Sequence, residues 1–291
     1  MPLFGAHAYI WSGQVDDAVL DGLLDRCLAL GLGFLEVPVG DDMRFTASRL
    51  GAAARERGVA LVLSPGGEWP MWADLSLADA ADRRRALDWH QRQVDLCAAC
   101  GAVAYTGALY GHPGRVLRTP QDDGERSAIA AGLHELARHA AATGVALALE
   151  PMSHFRTHVA NTPGQVLELI RRADHPNLRV LLDTYHLCTE VPSFRAAIEE
   201  ALPVLWGIHA CENHRGVPGT GILPWTEIAA ALRERHWAGY VGFESYNSSF
   251  DEGRFAISRG MFHNVCPDGD AFVRQAKAFL SALLQGPAKR G

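Results

Sequence analysis

Four polar residues each close an apolar run. Glu150 ends Ala146-Leu147-Ala148-Leu149-Glu150, Asp183 ends Val180-Leu181-Leu182-Asp183, His209 ends Trp206-Gly207-Ile208-His209, and Glu244 ends Gly242-Phe243-Glu244. Three carboxylates and an imidazole brought to one place would repel one another unless a cation joined them. An oxygen-rich set with one nitrogen and open positions suits Mn2+, Mg2+ or Co2+ better than a closed thiolate zinc site does. Each residue alone reads better as a capping or rim group satisfied by a backbone amide. Four in succession, each after a strongly apolar run, favour a metal.

The elements that must carry these residues alternate regularly. Strands are expected at Leu3–Ile10, Gly33–Val37, Ala60–Leu63, Ala102–Thr106, Ala146–Leu149, Arg179–Leu182, Leu205–His209 and Tyr240–Phe243. They are near-continuous apolar runs, as parallel strands covered on both faces require. Amphipathic helices are expected at about 15–31, 44–57, 77–100, 122–143, 163–173, 193–201, 225–236 and 268–285. Ser76 is a candidate N-cap, Pro163 fits a first helical position, and Gly58, Gly101 and Gly144 fit left-handed helix ends. Eight such units in 291 residues point to a single (β/α)8 TIM-barrel domain spanning 1–291, with active-site residues at the strand ends. An open doubly wound sheet is the other α/β option, but Trp11-Ser12-Gly13-Gln14 after the first strand is no dinucleotide turn.

Composition narrows the function classes. The chain is 48% apolar and 21% charged, with 27 Lys+Arg against 33 Asp+Glu and a formal charge of −6. That balance speaks against a nucleic-acid surface. No stretch approaches the ~18 uncharged apolar residues of a membrane helix. The N-terminus shows no secretory pattern, so a cytoplasmic protein is expected. Cys97-Ala-Ala-Cys100 has redox spacing, but it closes a helical pattern and no second CxxC follows, which favours buried structural thiols.

The runs Leu149-Glu150-Pro151, Leu182-Asp183-Thr184-Tyr185-His186, Ile208-His209 through Gly216, and Gly242-Phe243-Glu244-Ser245 resemble the sugar isomerase/epimerase family of xylose-isomerase-like barrels. The closest likeness is to D-tagatose/D-psicose (allulose) 3-epimerases. It extends through Leu35-Glu36, Tyr105-Thr106-Gly107 and Gly221-Ile222-Leu223-Pro224-Trp225. The resemblance implies a sugar substrate, a homodimer or homotetramer, and one divalent metal, commonly Mn2+, on Glu150, Asp183, His209 and Glu244. It further implies that Glu150 and Glu244 are the acid/base pair of an epimerisation through an enediolate. His186 and Arg215 would contact substrate oxygens.

Two segments depart from that pattern. Ser153-His154-Phe155-Arg156 places Arg156 where the ketose 3-epimerases carry a substrate-binding Glu, which disfavours the same hydroxyl contact and favours a carboxylate, phosphate or phenolate. After the last strand, residues 246–267 form a long expected loop whose aromatics and His263 suit a lid or a subunit contact. His7 and Trp11 on the first strand, with Trp69, Tyr110 and His112, would complete a pocket wall. The expected substrate-side set is therefore His186, Arg215, Arg156, His7, Trp11, Gly107 and His263. The same parts would also serve a lyase acting on an inosose or a 3-keto-glycoside, including C-glycosides. A DNA-repair nuclease of the endonuclease IV branch fits poorly, because Ser64-Pro65-Gly66-Gly67 lacks a ligand and no Asp-x-His follows His209.

Overall fold

The computed structural model describes residues 1–250 and 254–286. Eight parallel strands close on themselves in chain order: β1 Leu3–His7, β2 Phe34–Val39, β3 Ala60–Pro65, β4 Ala104–Gly107, β5 Ala146–Leu149, β6 Leu178–Asp183, β7 Leu205–Ala210 and β8 Tyr240–Phe243. The covering helices are α1 Leu20–Ala29, α2 Ala47–Arg57, α3 Ala80–Cys100, α4 Asp123–Thr143, α5 Pro163–Ala173, α7 Phe194–Ala201, α8 Trp225–Glu234 and α10 Gly269–Gln285. Two short helices, α6 Thr184–Leu187 and α9 Arg254–Ile257, follow β6 and β8. The expected barrel is thus the observed one. No helix of the described residues is long and apolar enough to cross a membrane.

The punctuation follows local chemistry. Gly58, Gly101 and Gly144 end α2, α3 and α4 at φ of 65°, 73° and 77°, where a side chain would be strained. Thr162 and Gln165 form a reciprocal capping box with Pro163 inside it. Cys97 and Cys100 are buried free thiols; burial pushes Cys97 far up and Cys100 to about 12, so both stay protonated.

The structure corrects several boundaries. β1 stops at His7, because the His7 Nδ1 accepts the Tyr9 N–H at 3.2 Å and turns the chain into a 3-10 helix over Ala8–Ile10. Helix α1 begins at Leu20 rather than near 15, since Asp16 first bridges to Arg44 and caps the Ala18 and Val19 amides. The N-cap of α3 is Asp79, which accepts from Ala81 and Asp82, whereas Ser76 is held by Asp74. The long segment after β8 contains α9; its residues 251–253 lie outside the described ones.

One irregularity sets up the site. Between β6 and β7 the register slips by one residue, so that Leu181 pairs with Gly207 and Asp183 pairs with His209. Side chains alternate faces along a strand, so the slip is what turns Asp183 and His209 to the same side. The displaced Trp206 stacks on Tyr240, with ring centroids 4.4 Å apart.

Candidate active site

Glu150, Asp183, His209 and Glu244 come from the ends of β5 to β8, and all four are buried. Each offers one ligand atom, and these atoms lie within 4.8 Å of one another. Two ligands on opposite sides of a cation with bonds of about 2.1 Å sit about 4.2 Å apart, so little contraction is needed to enclose one.

The orientation of His209 supports that fit. Its Nε2 meets Glu36 Oε2 at 2.7 Å, and Glu36 Oε1 accepts from Thr106 Oγ1 at 3.1 Å. The buried Nδ1 has no hydrogen-bond partner, although Glu244 Oε2 is 3.2 Å and Glu150 Oε1 4.0 Å away. A buried ring nitrogen left unpaired and turned toward carboxylates is the arrangement of a ligand imidazole, with its other nitrogen fixed by a carboxylate. Glu36 is the functional residue that sequence reasoning missed. The signal was present as a charge inside the apolar run Phe34–Val39, but nothing there showed what it would touch.

Arg215 Nη1 reaches Asp183 Oδ2 and Glu244 Oε2, both at 2.6 Å, and lies 3.2 Å from Cys211 Sγ. Its backbone has φ of 64°, unusual for a non-glycine residue. The surrounding loop enforces it: Arg215 N donates to Glu212 O, and Ser245 Oγ donates to Arg215 O. Buried Glu212 holds the loop by accepting from the Gly219 and Leu223 amides and from Trp225 Nε1, at 2.8–2.9 Å. That explains the Gly-Ile-Leu-Pro-Trp segment as a strap on which Arg215 depends.

His186 follows Asp183 by one turn of α6, whose second amide, Tyr185 N, is capped by Asp183 Oδ1 at 2.7 Å. Arg215 donates to His186 Nε2 at 3.2 Å, and on the other side His186 Nδ1 accepts the Ser153 N–H at 3.3 Å and lies 2.6 Å from Ser153 Oγ. Burial and the Arg215 charge hold this imidazole well below its usual range. Burial pushes Glu150 well up, with Asp183 and Glu244 adding to the effect, and burial raises Asp183 as well. Burial would raise Glu244 too, but Arg215 and His209 outweigh it and draw that carboxyl well down. His209 is raised against its own burial by Glu36 and Glu244.

These groups floor a cavity of about 600 Å3, within the ~300–1,000 Å3 common for small-molecule sites. His7, Gly107, His186, Arg215 and Arg156 line it, as do Trp69 and His112. Gly107 has φ of 119°, and its carbonyl accepts the Glu150 amide at 3.0 Å, so it shapes the backbone beneath Glu150.

Three expected wall residues are elsewhere. Trp11 lies beyond β1 and donates its indole N–H to Asp270 Oδ1 at 2.8 Å, tying the loop to the start of α10. Tyr110 is buried behind the wall, its hydroxyl 2.7 Å from Glu150 O and 2.9 Å from Ala160 O. His263 is exposed and does not line the cavity. From the segment after β8, Tyr246, Ser258, Arg259, Gly260 and Met261 line the cavity, and Arg259 donates to Tyr9 Oη at 2.8 Å and Gly66 O at 2.7 Å.

Residues 24–265 match the xylose isomerase-like TIM barrel family. The chain belongs to this family. Among its relatives, the ketose 3-epimerase of Arthrobacter globiformis is 28% identical over 276 residues, covering 95% of this chain and 94% of that one. The L-ribulose 3-epimerase of Mesorhizobium japonicum is 28% identical over 285 residues, covering 98% and 95%. A solved L-ribulose 3-epimerase structure superposes with a TM-score of 0.90 at 27% identity, covering 98% of this chain and 95% of the other. Within this xylose isomerase-like barrel, the four-residue cluster sits at the strand ends, where barrel enzymes place their chemistry.

Proposed function

We propose that the protein is a divalent-metal-dependent keto-sugar epimerase of the ketose 3-epimerase type. The observation that carries this reading is the strand-end cluster of Glu150, Asp183, His209 and Glu244, with His209 Nδ1 left unpaired by the Glu36 contact on its other nitrogen. The relatives that act on ketoses support it over their near-complete coverage of the chain.

A cation held by these four residues, Mn2+ first and Mg2+ or Co2+ as alternatives, supplies the positive charge that makes a proton beside a ketose carbonyl removable. The proton transfers belong to the protein. Inverting a carbon needs one group to take its proton and another to return one to the opposite face. Glu150 on the β5 side and Glu244 on the β8 side flank β6 and β7 and fill these two roles. Their roles exchange when the reaction runs from the other epimer. Arg215 adds a fixed guanidinium beside the oxygen where negative charge develops. His186, held from behind by the Ser153 N–H on its Nδ1, turns Nε2 as an acceptor toward Arg215 and steadies that guanidinium.

The test is metal removal. Treatment with EDTA should abolish formation of the C3 epimer from a ketose, and added Mn2+ should restore it. Turnover indifferent to chelation would overturn the reading.

A further inference from the structure

The charges of the cavity are sorted by depth. Its lining carboxylates among the described residues are Glu36 within β2 and Glu150 and Glu244 at the ends of β5 and β8, all at the floor. The upper wall carries Arg156 and Arg259 with Trp69, His112 and Phe155, and no lining carboxylate.

The three lining arginines differ in what they touch. Arg215 is bonded to Asp183 and Glu244, and Arg259 to Tyr9 and Gly66. Arg156 has its backbone pinned at both ends, its N–H donating to Ser153 O at 2.7 Å and its carbonyl accepting from Gly114 N at 2.8 Å. Its guanidinium has no hydrogen-bond, ion-pair or ring partner among the described residues. By contrast, the neighbouring Arg115 donates to Ser76 Oγ at 2.9 Å and lies 3.7 Å from buried Asp74. Burial holds His112 down, and the Arg156 charge adds to that, so this imidazole stays neutral beside the guanidinium.

A guanidinium offers five donors and no acceptor, a match for the paired oxygens of a carboxylate or phosphate. Such a group cannot be accommodated among the floor carboxylates without repulsion, so it must point to the rim while the keto end points to the floor. We propose that Arg156 is the specificity-determining residue for a keto sugar bearing a terminal oxyanion, carboxylate or phosphate, at the end remote from the carbonyl. The inference rests on the keto-sugar reading above and deepens it by naming the substrate class.

The experiment is calorimetric titration of the Mn2+-loaded protein with three probes: D-fructose, D-fructose 6-phosphate and the corresponding ketohexuronate. At least one anionic probe should bind about ten- to a hundredfold more tightly than the neutral sugar. Arg156→Gln should reduce that preference to within about twofold, and Arg156→Lys should retain part of it, since a point charge replaces a planar fork. Preference for one anion over the other tells carboxylate from phosphate. Equal binding of all three, no binding of either anion, or an anion preference that survives Arg156→Gln would overturn the proposal. Because binding is read without turnover, an anion preference with no C3 epimer formed would sink the epimerase reading and leave this one standing.

Discussion

On the cavity floor every charge has an opposite charge within reach. Arg215 lies 2.6 Å from both Asp183 and Glu244, and His209 lies 2.7 Å from Glu36. On the rim, Arg156 has none among the described residues. The floor is carried by strand ends whose positions follow from barrel closure and the register slip between β6 and β7. The rim is carried by loops after β3, β4, β5 and β8, held by backbone bonds such as Gly114 N to Arg156 O. Floor groups are therefore fixed for one kind of chemistry, while rim groups are free to choose what is brought to it.

The strongest way to break this division is at the floor. Glu150→Gln and Glu244→Gln each keep shape and volume while removing a proton acceptor, and each should lower kcat by about a thousandfold. Near-normal turnover in either variant would remove the proton-transfer roles. A finer cut is Glu36→Gln, which leaves all four ligands in place but loosens the carboxylate that orients His209. Metal affinity, read by titration of the stripped protein, should fall about ten- to a hundredfold. An unchanged affinity would mean that Glu36 does not set the imidazole.

The smallest effect concerns the support behind the rim, where His90 is buried 3.0 Å from Tyr105 Oη and edge-on to Trp69 and Trp89. Burial lowers its pKa from 6.5 to about 3. The folded state then refuses a proton that the unfolded chain accepts. The contribution is complete above pH 6.5 and is lost as pH falls below it, by about 2 kcal/mol at pH 5. His90→Gln, though less stable at pH 7, should therefore lose about 2 kcal/mol less than the parent between pH 7 and pH 5 in urea denaturation. Parallel losses would show that His90 takes up its proton in the folded state.

The same division explains what could be read from the sequence. Strands β1 to β8 were legible because parallel strands covered on both faces leave unbroken apolar runs, and the polar residues ending the last four runs mark the floor. Glu150, Asp183, His209 and Glu244 needed no knowledge of loops. Glu36 was hidden because it lies within its run, and only barrel closure brings it to His209 Nε2. Glu212 was hidden because its partners, Gly219, Leu223 and Trp225, are set by loop geometry. The rim was read least well. Trp11 and His263 have side chains suited to a sugar pocket, but one is taken by Asp270 and the other faces solvent, while Arg259 fills the place that His263 was expected to take.

Incubating the Mn2+-loaded protein in D2O with keto sugars, and reading the products by NMR and mass spectrometry, tests the central claim most directly. Deuterium should enter at C3 with the carbon skeleton intact and both C3 epimers present. Release of water or an aglycone without that exchange, or a C3 proton that never exchanges with solvent, would contradict the claim.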